Sequence, residues 1–235
     1  MSILALDTAT MVSSVAVASA DKLLAELIVE TRLTHSETLM PHIAQVLEMA
    51  GQAKESLEGI AVSIGPGSFT GLRIGLAAAK GMAYTLGVPI IGVPTLAALA
   101  YHFPVPGIYT AVLLDAQKGN AYAALYHWQD GAFVEDAAVQ VLPIETVLRQ
   151  CGTLDAPVML LGDVVRKKIA GRALPANVFM APPYMLMPRA ANVAALGLQM
   201  LADGQTGNVM DMEPVYIRRS EAEVLWEKRQ KAGQS

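Results

Sequence analysis

Two passages of this 235-residue chain read as one unit written twice, LALDTATMVSSVAVA from Leu4 and VLLDAQKGNAYAALY from Val112. Each is an apolar strand ending in an acid, Asp7 in the first and Asp115 in the second, followed by a polar turn and a returning strand. The first copy turns at Ala20-Asp21-Lys22 into a third strand, Leu23 to Val29. The second turns at Gln129-Asp130-Gly131 into a strand that starts at Ala132 to Val134, so both copies are three-stranded meanders. Duplication on this scale predicts two related α/β lobes facing across a cleft. The segment FPVPG, Phe103 to Gly107, marks the boundary and divides the chain into residues 1–103 and 104–235.

Between the copies lies the stretch with the most local information, SIGPGSFTGLRIGLAAAK, Ser63 to Lys80. Ile60, Val62 and Ile64 form a buried strand that Gly65-Pro66-Gly67 stops, and a helix follows from about Thr70 to Leu86. Ser68 or Thr70 caps it, and the first helical N–H groups then face the loop as an anion site would require. The candidate nucleotide or anion residues are therefore Asp7, Gly65, Gly67, Ser68, Thr70 and Asp115. The spacing matches neither the dinucleotide fingerprint nor the phosphate-loop motif, and the plainer reading is a tight strand-to-helix connection in which glycines allow close backbone packing. Asp7 likewise has two readings, a ligand for metal-bound phosphate or a cap on its own turn.

The helix carries two apolar stripes, Leu72, Leu76, Ala79, Ala83 and Leu86 on one, Gly71, Gly75, Ala78 and Met82 on the other. A surface helix needs one. The second implies close approach of another helix, in the same chain or in a partner. An earlier helix, about 34–50, starts from the capping-box pattern Thr34-His35-Ser36-Glu37, with Pro41 expected to kink it or delay its start and Gly51 to end it. His35 and His42 lie about 10 Å apart along it, poor spacing for one metal and better suited to a partner contact or solvent. Further on the pattern predicts a strand at Val88 to Val93, a short helix from Thr95, a helix near Pro143 to Gln150, and a strand at Val158 to Leu161. A short basic helix from Val164 to Gly171, an aperiodic Met- and Pro-rich stretch from Leu174 to Pro188, and a helix at Ala190 to Ala202 complete it.

Composition removes several function classes. With 53% hydrophobic and 16% charged residues the chain is core-rich, not disordered. A net charge of −4 argues against strong independent nucleic-acid binding, so any RNA is expected to be held mainly by another component. No apolar run reaches membrane-span length and MSILALD enters a strand directly, which places the expected location in the cytoplasm, away from membranes. The single cysteine, Cys151, reads as a small apolar residue.

The blocks ILALDTAT at 3–10, GPGSFTGLRIGLAAAKGMAYTLGVPIIGVPTL at 65–96, LLDAQKGNAYAALY at 113–126 and EPVYIR at 213–218 resemble the TsaB (YeaZ) family. The resemblance implies an actin-like fold of the ASKHA class, shared with Hsp70 and sugar kinases. It implies a non-catalytic partner of TsaD, acting with the ATPase TsaE in transferring threonylcarbamoyl from threonylcarbamoyl-adenylate to N6 of the adenosine 3′ of the anticodon, in tRNAs reading codons that begin with A. It implies no cofactor of the chain's own, ATP and metal belonging to the partner complex: Thr95 and Leu99 stand where TsaD carries its H-x-x-x-H metal pair. It also implies a paired-helix surface for TsaD or for a second copy of the chain, with Leu39, Ile43, Leu47, Leu76, Ala79 and Ala83 shared between core and interface, Gly75 within it and Arg73 and Lys80 at its rim. Two other classes remain open at this stage. One is an ATP-dependent phosphotransferase or hydrolase using Asp7, the Gly65–Gly71 loop and Asp115, for which no base is evident. The other is a glycoprotease homologue, for which neither metal motif nor triad is present.

Overall fold

A computed structural model of the chain describes residues 2–30 and 34–217. Arg218, Arg219 and the mixed-charge tail lie outside the described residues. The duplication is borne out strand by strand. The first sheet is built from β1 (Ser2–Asp7), β2 (Val12–Ser19), β3 (Leu23–Glu30), β4 (Gly59–Gly65) and β5 (Ile90–Pro94), in the order β3-β2-β1-β4-β5. The second uses β6 (Tyr109–Asp115), β7 (Asn120–Gln129), β8 (Ala132–Pro143), β9 (Val158–Leu161) and β10 (Val178–Met180), in the order β10-β9-β6-β7-β8. Reading β6 as β1 makes the two orders identical, and the pairing sense agrees at every step: two antiparallel neighbours along the meander, then two parallel ones. The central strands are apolar on both faces because helices cover both, as parallel pairing requires.

The helices diverge where the strands do not. In the first half α1 (His35–Ala50) joins β3 to β4 and α2 (Phe69–Leu86) joins β4 to β5. Their counterparts are α4 (Ile144–Gly152) and only a five-residue π-helical stretch, Val165–Ile169, closed by Ala170 N–H donating to the Val165 carbonyl at 2.9 Å. The basic helix expected over Val164 to Gly171 is thus a single wide turn. The aperiodic stretch after Leu174 holds β10 and a 3₁₀ turn at Pro183–Met185. Of its methionines, Met185 and Met187 pack against the second core while Met180 is exposed.

Helix α1 begins at the capping box and runs through Pro41, neither delayed nor ended by it. The Glu37 carboxylate accepts from the Thr34 N–H at 3.0 Å and from the Thr34 hydroxyl at 2.6 Å, which fixes the first turn. Burial of Leu39, Ile43 and Val46 then outweighs the hydrogen bond that proline cannot make. Gly51 ends the helix in the left-handed region at φ 60°.

The last helix of each half crosses over. Helix α3 (Thr95–Ala100) sends Leu96, Leu99 and Ala100 into the second core, while α5 (Ala190–Ala202) returns to the first sheet, where Val193, Ala194 and Leu198 meet Ile3, Ala5, Ala61, Ile91 and Val93. The start of α5 is held by that sheet: Ala190 N–H donates to Ser14 Oγ at 2.8 Å, Ala191 N–H to the Glu26 carboxylate at 3.0 Å, and Arg189 pairs with the same carboxylate. A division at 103/104 therefore separates the two sheets but not the two cores. A helix as apolar as AANVAALGLQMLA needs cover on most sides, and it finds that cover on the first sheet and beside α3.

Candidate functional site

The duplicated strand ends converge on a cleft of about 530 Å³ between the lobes. One wall is the β1–β2 turn, Ala9 to Met11, with the loop Pro66 to Thr70; the other is Leu114 to Gln117 with Tyr122, Asp163 and Lys167. Val215, Tyr216 and Ile217 close one side. Of the six nucleotide or anion candidates, Gly67, Ser68, Thr70 and Asp115 line this space, whereas Asp7 and Gly65 lie behind it.

Asp7 is fully buried, its carboxylate accepting the Ser63 hydroxyl and, at 3.0 Å, the N–H of Ala9. Burial pushes its pKa up to about 6, against the lowering pull of those two hydrogen bonds and of His35 nearby. Of its two readings, the turn cap is the one the geometry supplies. The loop is similarly committed. Gly65 sits at φ +119° with its N–H given to the Thr95 hydroxyl at 3.0 Å. Ser68 N–H donates to the Ala9 carbonyl at 2.7 Å, and Ser68 Oγ caps α2 by accepting from Gly71 N–H at 3.2 Å. Gly67, Gly71 and Gly75 lie against the β1–β2 turn so closely that a Cβ on any of them would overlap Ala9 or Thr8. Gly71 and Gly75 of the small stripe therefore serve close approach to a turn, sealed by Thr8 donating to the Gly71 carbonyl at 2.8 Å, while Ala78 and Met82 pack against the core that α2 shares with α1.

Across the cleft the carboxylates have ammonium partners. Lys168 Nζ lies 2.7 Å from Asp115 and Lys167 Nζ 2.8 Å from Asp163, while Asp163 also accepts from Asp115 N–H at 3.0 Å. Burial raises the Asp115 pKa, but Lys168 and the Gln117 N–H outweigh it and hold the carboxyl below its usual range. The sequence reading missed Asp163, Lys167 and Lys168. The signal was the duplication itself: Gly162-Asp163 ends β9 as Gly65-Pro66 ends β4, and the basic turn follows it as α2 follows the loop.

The paired-helix candidates fall into two groups. Leu39, Ile43, Leu76, Ala79 and Ala83 are buried in the chain's own first core, with Leu47 packed against it. Gly75 faces Thr8, so it is inward too. The solvent-facing stripe of α2 is instead Arg73, Ala77, Gly81 and Tyr84, the last 74% exposed, and nothing lies within 4 Å of where a Gly81 Cβ would stand. Lys80 and Arg73 hold the segment after α5: Lys80 Nζ donates to the Met210 and Met212 carbonyls at 2.8 and 3.2 Å, and Arg73 Nε to the Tyr216 hydroxyl at 3.0 Å. Tyr216 stacks on Phe69 at 4.8 Å with the Arg73 guanidinium 3.9 Å over the Phe69 ring.

The two helix-α1 histidines point into the fold, contrary to the expectation of solvent or partner contact. His35 Nε2 reaches the Thr10 carbonyl at 2.7 Å and His42 Nδ1 the Ser13 hydroxyl at 3.0 Å, so α1 grips the cleft-side turn. Burial lowers the His42 pKa. Thr95 is spent on Gly65 and Leu99 on the second core. Cys151 is buried, its thiol pushed up to about 11. Among the described residues no group of three or more His, Cys, Asp or Glu side chains is placed to hold a metal, and no helix is long and apolar enough to cross a membrane.

Comparison with known proteins adds the lineage. The family model described as TsaD, tRNA N6-adenosine threonylcarbamoyltransferase, matches residues 29–226. The Bacillus subtilis tRNA threonylcarbamoyladenosine biosynthesis protein TsaB is 32% identical over 98% of this chain and 100% of its own length. The solved structure of YeaZ from Pseudomonas aeruginosa superposes with a TM-score of 0.76 at 28% identity, over 92% of this chain and 99% of that one. At 11% identity, component A of the Acidaminococcus fermentans (R)-2-hydroxyglutaryl-CoA dehydratase matches in fold alone, with a TM-score of 0.51 over 86% of this chain. With its doubled sheet order, the chain has the actin-like two-lobe fold of the ASKHA class, and it belongs to the TsaD family on the branch of the TsaB threonylcarbamoyladenosine biosynthesis proteins.

Proposed function

We propose that the chain is the non-catalytic partner of TsaD in threonylcarbamoyl transfer to tRNA, working with TsaE and holding no cofactor of its own. The observation that carries this is the state of the cleft's acids. Phosphoryl chemistry in a cleft of this kind needs a carboxylate open to metal-bound phosphate and loop N–H groups open to the phosphate oxygens. Here Asp7 is sealed behind the wall by Ser63 and Ala9, the Ser68 N–H is given to Ala9, and Asp115 and Asp163 are neutralised by Lys168 and Lys167. These commitments count against a nucleotide's phosphates with their metal in this cleft.

What remains is a binding face. The α2 stripe Arg73, Ala77, Gly81 and Tyr84 is small in the middle and aromatic at one end, a shape that lets a second helix approach closely. TsaD docks there in this reading, and a second copy of the chain takes its place when TsaD is absent. The test is a reconstitution of TsaD, TsaE, ATP, threonylcarbamoyl-adenylate and unmodified tRNA with this chain or TsaD omitted in turn, with modified adenosine quantified. Product that requires both proteins supports the reading. Product formed without TsaD, or ATP turnover by the isolated chain, overturns it.

A further inference from the structure

Residues Asn208 to Ile217 contain neither helix nor strand, yet they touch both the α2 face and the cleft. Their path is pinned at successive points. Gly207 N–H donates to the Ile90 carbonyl at 2.9 Å, Val209 and Met212 pack against the first core, Lys80 Nζ holds the Met210 and Met212 carbonyls, and Val215 N–H donates to the Ile64 carbonyl at 2.7 Å. The segment ends with Tyr216 on Phe69 and Arg73, at the mouth of the cleft. Its anchors Phe69, Arg73 and Lys80 recur at i, i+4 and i+11, so one side of α2 is their common rail.

We infer that this segment is a strap through which a protein docked on α2 sets the cleft mouth. The inference rests on the docking reading above and adds a regulation to it. Lys80 is one turn before Tyr84, so the Met210 carbonyl that it holds ties the strap, with the exposed Met210, to the helix turn that precedes Tyr84. The other end of the same strap forms part of the cleft wall through Val215, Tyr216 and Ile217. Between these ends its side chains are largely exposed and its backbone belongs to no helix or strand ladder, which marks a segment that opens locally without global unfolding. A protein seated over Tyr84 and Met210 removes that freedom, and the cleft mouth keeps its narrowed form.

Hydrogen–deuterium exchange on the full chain, alone and with TsaD, tests this, with Lys80→Ala and Tyr216→Ala alongside. In the free chain, peptides over 208–217 exchange faster than those of β4 and α5. Both substitutions speed strap exchange about tenfold or more while leaving β4 unchanged, which also reports that each variant is folded. TsaD slows strap exchange along with that of α2, and both variants bind it more weakly, by about fivefold or more. Protection of α2 by TsaD with strap exchange unchanged overturns the strap and leaves the docking reading standing. Absence of protection on α2 as well overturns that reading, and the strap's role with it.

Discussion

A carboxylate can be a reagent or a brace, and the difference at Asp7 is made by one hydroxyl far away in sequence. Ser63 comes from the neighbouring parallel strand and donates to a carboxylate that is fully buried behind the cleft wall. The consequence is measurable as a pH dependence. The folded-state pKa of about 6 lies above the usual 3.8, so between these values the folded protein binds more protons than the unfolded chain, and this group's contribution falls as pH rises through the window. The full effect is about 3 kcal/mol for a shift of this size, an upper bound. Asp7→Asn removes it. Urea unfolding of the variant and the parent at pH 4.5 and 7.5 should show the difference in stability moving in favour of asparagine at the higher pH. A constant difference would mean that Asp7 titrates as an ordinary carboxylate in the folded protein.

At the scale of the element, α2 separates two kinds of glycine that the sequence writes alike. Gly75 faces Thr8, and a side chain there must displace the hydroxyl that holds the Gly71 carbonyl. Gly81 faces solvent. Gly75→Leu should therefore destabilise the chain by about 1–3 kcal/mol through overpacking. Gly81→Trp, read by thermal unfolding and by titration with TsaD, should leave stability unchanged or raise it by up to about 1 kcal/mol, since glycine is a poor helix former. The same substitution should weaken TsaD binding tenfold or more by keeping the partner helix at a distance. Undiminished binding by a folded Gly81→Trp variant would remove α2 from the docking face. The contrast also shows what was legible. Strands with strong alternation or continuous apolar runs, the capped start of α1 and the limits of α5 could be read because local pattern determines them. Which stripe of α2 is buried could not be read, because Thr8 lies 63 residues from the carbonyl it holds and nothing in the helix names its neighbour. The π-helical turn at 165–169 was hidden for the same reason: its three cations look like an exposed helix face until Glu30, Asp163 and Asp115 are found opposite them.

For the whole molecule the two sheets draw on separate stretches of the chain, whereas each core takes a helix from beyond its own sheet's stretch. Residues 1–103 contain every strand of the first sheet, but the face made by Ile3, Ala5, Ala61, Ile91 and Val93 is covered from outside that range by α5. Expressed alone, 1–103 should show no cooperative thermal transition. Co-expressed with residues 187–217 it should recover one, because that segment supplies the missing helix together with Arg189, the partner of Glu26. A cooperative transition from 1–103 alone would mean that the α5 face is dispensable. The duplication was visible in the sequence, whereas the exchange of last helices was not: AANVAALGLQMLA announces that it is buried without saying against what.

The return of α5 also orders events in time. A chain emerging from the ribosome presents β1 to β5 first, yet their second face stays bare until residues 190–202 have been made. The strands of the second sheet, complete by Met180, are all available before that helix exists. The half synthesised first is thus the half finished last, and its alanine- and isoleucine-lined face is what a nascent-chain chaperone meets in the interval.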